Sequence, residues 1–228
     1  DVPTIEGANQ ANTWALTKEE LKAVVLAVEG LPARRSAIAK AMLYLAGQRV
    51  EMLCRVTWAD IYDDGEHGEV MRLIDLKGGK GTPSREHLLP MTQRLREILS
   101  PLLALQGAGK APGPFSLRGK VSITPGTALD IFSALGDQLS TKGETRRFTW
   151  RTLRATIETH LAALGVNQER RAWLLSHGRS GVQAKHYDRW NYLPEKRGDL
   201  DRWARYLDEL AGIAPADNVL KGVFGKTS

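Results

Sequence analysis

The sequence predicts an α+β domain that is mainly helical, with a small three-stranded antiparallel sheet at one edge. Three observations lead there. Most of the chain falls into stretches with apolar residues at three-and-four spacing that stop at glycine or proline, as amphipathic helices do. Between residues 55 and 90 the pattern shifts to short runs rich in β-branched or alternating residues, as in strands. There is no internal repeat or heptad array, and 228 residues are ample for one hydrophobic core.

Residues 1 to 15 are polar and small, and read as a linker or the remnant of a preceding region. Thr17 and Glu20 make a capping box for a helix to Glu29. After the Gly30 to Pro32 break, Arg34 to Ala46 forms a second helix with Ile38, Met42 and Leu45 on one face. Gly47, Gln48 and Arg49 lead into a short helix, Val50 to Leu53. Arg55 to Ile61 reads as a strand or an approach to one, and Glu69 to Leu76 and Arg85 to Pro90 as strands, giving a three-stranded sheet. Lys77 to Ser84, with two lysines among glycines, is the hairpin tip.

Thr92 to Gln106 is the next helix, followed by a Gly, Pro and Ala loop to Pro114. A helix then starts at Thr124 and runs to Gly136 or on to Leu139. Trp150 to Gly165 places Leu153, Ile157, Leu161 and Leu164 inward, so Arg154 lies one residue after a core position. Asn167 caps a short helix that turns Trp173 and Leu174 inward and brings His177 to its C-terminal end. Ser180 to His186 forms a further short helix presenting Tyr187. The last helix, Pro194 to Leu210, buries Leu200, Trp203, Leu207 and Leu210 before a tail.

Composition limits the partners. Thirty-two Lys and Arg against 26 Asp and Glu give +6, which favours an anionic partner without naming it. The single cysteine, Cys54, lies in an apolar stretch read as buried and has no internal disulfide partner. No apolar run approaches the ~18 residues of a membrane span, and the first residues do not form a signal peptide. A reducing cytoplasm is the expected location. The absence of an initiating Met is what a fragment of a longer protein is expected to show.

Arg49, Arg154, a hairpin lysine, His177 and a tyrosine make a metal-free kit for attack on a phosphodiester. Guanidinium forks match the two non-bridging oxygens and neutralise charge in a pentavalent transition state. A tyrosine hydroxyl is a covalent nucleophile, and a lysine can protonate the departing alkoxide.

Several segments, in order, carry a family resemblance. They are Ala46-Gly-Gln-Arg49, Val56-Thr-Trp-Ala-Asp-Ile61, Thr152-Leu-Arg154-Ala-Thr156, His160-Leu-Ala-Ala-Leu-Gly-Val166, Leu174-Leu-Ser-His177-Gly178 and His186-Tyr187. Together, over roughly residues 15 to 210, the chain resembles the catalytic domain of tyrosine recombinases, particularly phage and genomic-island integrases. The resemblance implies that fold, with a catalytic domain at 16 to 193. Residues 194 to 228 would be a C-terminal helix and tail able to contact a neighbouring protomer.

The same resemblance implies that Arg49 and Arg154 are the two catalytic arginines and Lys77 the general acid toward the 5′ oxygen. His177 would hydrogen-bond the phosphate, and Tyr187 would be the nucleophile. The implied reaction is site-specific recombination through a 3′-phosphotyrosyl link, without ATP, metal or other cofactor. The implied partner is duplex DNA at attachment sites, held by a tetramer, with accessory DNA-bending or directionality proteins. DNA would be gripped mostly through phosphates, giving salt-sensitive affinity.

The chain departs from the family pattern twice. Arg151 stands where the family has His three residues before the second arginine, and a guanidinium donates hydrogen bonds but does not act as a base near neutral pH. Water, His177 or His186 are then the candidate proton acceptors. An acid often follows the first arginine by three residues, whereas here Glu51 follows by two and Met52 by three.

Each assignment has a plainer rival. A lone helix arginine is usually a surface or ion-pairing residue, a Gly-rich lysine hairpin is usually a solvated turn, and His177 could serve as a helix-end cap. Lys80 rivals Lys77, and Tyr192 rivals Tyr187; position favours Lys77, and the interval from His177 favours Tyr187. Arg151 reads equally as a phosphate contact or a solvent-facing charge. Trp58, Trp150, Trp173 and Trp203 read as packing residues. Two other functions compete: a non-catalytic DNA-binding or regulatory module of the same fold, and supercoil relaxation of the type IB topoisomerase kind.

Overall fold

The computed structural model describes residues 14–76, 84–104, 112–176 and 191–213. Helices α1 (Lys18–Glu29), α2 (Ala33–Tyr44) and α3 (Val50–Leu53) come first. A 3-10 turn, Trp58–Asp60, then leads to strands β1 (Ile61–Asp63), β2 (Glu69–Asp75) and β3 (Arg85–Pro90). Helices α4 (Gln93–Ala104), α5 (Pro125–Thr141), α6 (Trp150–Ala163), α7 (Gln168–Leu174) and α8 (Leu193–Ala211) follow. The three strands form one antiparallel sheet in the order β1-β2-β3, with Ile61 opposite Met71 and Asp75 opposite Arg85. The mixed, mainly helical architecture and its small sheet are therefore as the sequence predicts.

Local chemistry explains the boundaries. The Thr17 hydroxyl accepts from the Glu20 amide and Glu20 accepts from the Thr17 amide, closing the predicted capping box of α1. Asn167 caps α7 by accepting from the Arg170 amide. Gly136 does not interrupt α5, because the backbone of Phe148 packs against it: a Cβ there would fall 2.1 Å from the Phe148 carbonyl oxygen. This close approach seats the entry to α6 against α5.

Of the two readings of Arg55 to Ile61, the structure shows the approach to a strand. Arg55 to Ile61 is mostly not strand: Asp60 accepts from both the amide and the hydroxyl of Thr57, at 2.9 and 2.7 Å, and winds Trp58–Asp60 into the 3-10 turn. Only Ile61 begins β1. The other oxygen of Asp60 takes two hydrogen bonds from Arg72 and so anchors the turn to β2. The β-rich composition of this segment instead serves packing, with Val56 buried and Trp58 against the core.

One core cluster joins every helix but draws only on β2 and β3 for its buried strand residues. Cys54 is buried in it, and so are Trp150 and Trp203. Leu200, Trp203 and Leu207 bring α8 into this core, and the Trp203 indole donates to the Leu43 carbonyl at 2.8 Å. Entry of the chain is fixed to α6: the Leu16 amide donates to Thr156 Oγ1 and the Leu16 carbonyl meets His160 Nε2 at 2.9 Å. The other nitrogen of His160 meets the Tyr206 hydroxyl of α8 at 2.8 Å. No helix among the described residues is long and apolar enough to cross a membrane.

Candidate active site

Arg49 owes its position to a tight turn. Ala46 and Gly47, between α2 and α3, both take left-handed backbone conformations, with φ of 56° and 75°. Chain direction reverses there, and Arg49 becomes the residue that caps α3. Gly47 faces α6 so closely that a Cβ would stand 3.0 Å from Ile157 Cδ1 and 3.4 Å from Arg154 Cγ. Glycine suits this position twice, for its dihedral and for the close approach of α6.

This contact brings Arg154 of α6 alongside Arg49. Burial, and next the positive charge of Arg49, pull the Arg154 guanidinium below its ordinary pKa, while Glu51 and Glu158 act in the opposite direction. An arginine stays protonated under such pressure, so two cations persist within electrostatic reach of each other. Arg151 lies three residues before Arg154 on the same face of α6, and it is exposed. The result is a cluster of guanidinium groups graded from half-buried to solvent-facing.

Arg49 does have a carboxylate partner, and it comes from the sheet. Arg49 Nη1 lies 3.0 Å from Asp75 Oδ2, with the Asp75 side chain only 2% exposed. Arg85 approaches the same oxygen at 3.4 Å. Met52 is buried in the core and Glu51 is exposed. Asp75 was legible as an oddity: it continues the inward face of β2 after Met71 and Leu73, where an apolar residue is the norm.

A second polar cluster holds the end of α7. Gln48, beside Arg49 and 1% exposed, donates from its side-chain amide to the Leu45 and Leu174 carbonyls, both at 3.0 Å. His87 Nε2 meets the same Leu174 oxygen at 3.0 Å. A carbonyl only accepts, so His87 is protonated on Nε2, and its Nδ1 can take a hydrogen bond from Lys196 Nζ at 3.5 Å. Lys196 also donates to the Leu88 carbonyl at 2.8 Å, and its side chain is buried. The Leu174 carbonyl, three residues before His177, is thereby fixed from α8, β3 and the Arg49 turn together. Ser176 follows in a left-handed conformation with φ 53°.

Of the sequence-predicted residues, Arg49 and Arg154 are brought together and Arg151 stands one turn away. Lys77, His177 and Tyr187 lie outside the described residues, as do Lys80 and His186. Tyr192, the rival nucleophile, has its ring stacked on Trp173 at 3.7 Å between centroids and 15° between planes.

Comparison with known proteins gives this arrangement its context. The family model described as the phage integrase family matches residues 15–192. The chain belongs to that family. The chain is also 27% identical over 134 residues to a tyrosine recombinase of Pseudothermotoga lettingae, a match covering 59% of this chain and 42% of that protein. It therefore spans less than half the length of that curated relative.

Among solved structures, the fold of this integrase-family chain is similar to that of the Tn1549 transposon integrase in complex with transposon right end DNA. The TM-score is 0.58, with 16% identity over 86% of this chain and 68% of that one. It is also similar to the XerH site-specific recombinase bound to difH substrate, with a TM-score of 0.54 and 15% identity over 72% of this chain and 47% of that one. At these identities the likeness establishes the tyrosine recombinase catalytic-domain fold.

Proposed function

We propose that this chain is the catalytic part of a site-specific DNA recombinase that cleaves and rejoins strands through a 3′-phosphotyrosyl intermediate. The observation that carries the reading is the juxtaposition of Arg49 and Arg154. Two guanidinium groups from separate elements, close enough for one to perturb the other, are favourable once a phosphate dianion-like transition state lies between them. A family of DNA integrases supplies the anion: a backbone phosphodiester.

In this reading the Tyr187 hydroxyl attacks phosphorus, the 5′ oxygen departs with a proton from Lys77, and the protein is linked to the 3′ phosphate. Arg49 and Arg154 each fork onto non-bridging oxygens as the charge gathers. His177 donates a further hydrogen bond, and Arg151 adds a donor at the exposed rim. Attack by the 5′ hydroxyl of another strand reverses the bonding and releases Tyr187, so each step exchanges one phosphodiester for another. Duplex DNA is the partner, with a tetramer as the working assembly. Structures of the same fold in complex with DNA support the DNA partner by analogy. The stacking of Tyr192 on Trp173 supports Tyr187 as nucleophile, because a ring engaged face to face must first leave its partner to reach a phosphate.

Covalent trapping tests the reading. The chain, within the full-length protein that carries it, is incubated with nicked suicide duplex bearing a candidate attachment site. A denaturation-resistant adduct that vanishes in Tyr187→Phe and persists in Tyr192→Phe is the expected result. No adduct from protein that binds the site would identify a non-catalytic DNA-binding module instead.

A further inference from the structure

We infer that Asp75 is the positioning residue for Arg49, locking its guanidinium to the base of the β2–β3 hairpin; the inference rests on the function proposed above. Asp75 occupies the last inward position of β2, after Met71 and Leu73, with its side chain 2% exposed. An ionised carboxylate at so dry a position is tolerated only when paired. Its partners explain the choice of residue. Arg49 Nη1 and Arg85 Nη2 both address Oδ2, at 3.0 and 3.4 Å, so one oxygen ties the residue capping α3 to a residue of β3.

Arg85 is also the cross-strand partner of Asp75 in the antiparallel ladder. The carboxylate therefore sits on the rung that closes the hairpin, two residues before Lys77. A single group thus fixes Arg49 relative to the root of the segment that carries the general acid. Charge gives a further reason. Arg154 and Arg49 repel each other, and a side chain as long as arginine relieves repulsion by swinging away. Asp75 opposes that swing with an ion pair shielded from water. The carboxylate touches no DNA in this account and acts through Arg49, by keeping the guanidinium where the transition state needs it before DNA arrives.

Asp75→Asn tests this, since it preserves shape and removes only the charge. Single-turnover adduct formation on the suicide duplex is expected to slow roughly 10- to 100-fold, while the DNA dissociation constant moves less than about threefold. A purely structural loss would weaken binding and folding together, so thermal melting is followed alongside. A cleavage rate within about twofold of the unsubstituted chain overturns the inference. Nitrogen-15 spectra of the arginine side chains give a reading that does not need cleavage or a folded Asp75 variant. Slow, resolved Nη rotation for Arg49, assigned with Arg49→Lys, supports the lock, and free rotation in the unsubstituted chain overturns it. Slow rotation without any adduct counts against the proposed function and still supports the lock.

Discussion

Two guanidinium groups brought together in a partly dry site are suited to receive an anion, and Arg154 is the partly buried member of that arrangement on α6. Lysine in its place keeps the charge and loses the fork, so Arg154→Lys separates electrostatics from bidentate geometry. Cleavage is expected to fall by about 10²-fold or more, with duplex affinity changed little, as measured by adduct formation and by fluorescence anisotropy. Binding lost in equal measure would make Arg154 a general DNA contact. Arg49 and Arg154 were readable in the sequence because each sits in a short ordered pattern, a turn before a helix and a helix beside its core stripe. Asp75 was visible only as a polar oddity on the inward face of β2, and the partners of Asp75, Gln48 and His87 were not readable. Each is a polar residue at an inward position, and a periodicity reading tells which face is buried but not which distant group will meet a polar residue there.

At the scale of elements, glycine decides how the helices that carry the site approach one another. Gly136 has the Phe148 carbonyl oxygen where a Cβ would stand, at 2.1 Å, and backbone on both sides leaves little room to yield. Gly136→Ala is expected to destabilise the fold by about 2–4 kcal/mol, seen as a lowered melting temperature by circular dichroism, and to shift the start of α6. An unchanged melting temperature would show that α5 and α6 do not depend on this contact. In sequence terms Gly136 read as a weakness in a helix, since the residue it makes room for is twelve positions away. Arg55 to Ile61 is the approach to a strand and not the strand itself for a related reason. Its β-branched and aromatic residues fit a sheet, but Thr57 and Asp60 close a 3-10 turn by hydrogen bonds of their own, which override propensity. Among the described residues, the remaining helices and strands needed only small adjustments at their ends, because caps and apolar spacing are local signals; the short helix expected over Ser180 to His186 lies outside them.

For the molecule as a whole, charge sets two expectations. The +6 balance and the arginine cluster predict that duplex affinity falls steeply between about 50 and 200 mM salt, as counterions compete for the phosphates. A flat salt profile would remove phosphate contacts as the basis of binding. Acid stability follows from the clasp at the chain entry. Arg146 hydrogen-bonds Glu20 and lies over the Trp14 ring, and this contact is the chief reason that the Glu20 carboxyl drops from 4.5 to about 2. The folded value lies below the unfolded one, so the stabilisation is complete above about pH 4.5 and fades as pH falls toward 2. Melting curves of the unsubstituted chain and Glu20→Gln should differ at neutral pH and converge near pH 2. A difference that persists at low pH would place the effect in the capping box alone. Overall architecture was legible because one core spans the chain from Leu16 to Leu210. How α8 joins it through Trp203, and through Lys196 to the end of α7, depends on contacts that no local pattern encodes.

The most direct measurement is the identity of the residue that carries the DNA. Trypsin divides the relevant stretch after Lys185, Arg189 and Lys196, so Tyr187 and Tyr192 fall on different peptides. Mass spectrometry of the trapped and nuclease-trimmed adduct should find the nucleotide on the peptide His186 to Arg189, linked through Tyr187. A nucleotide on the peptide Trp190 to Lys196, or on neither, would contradict the account.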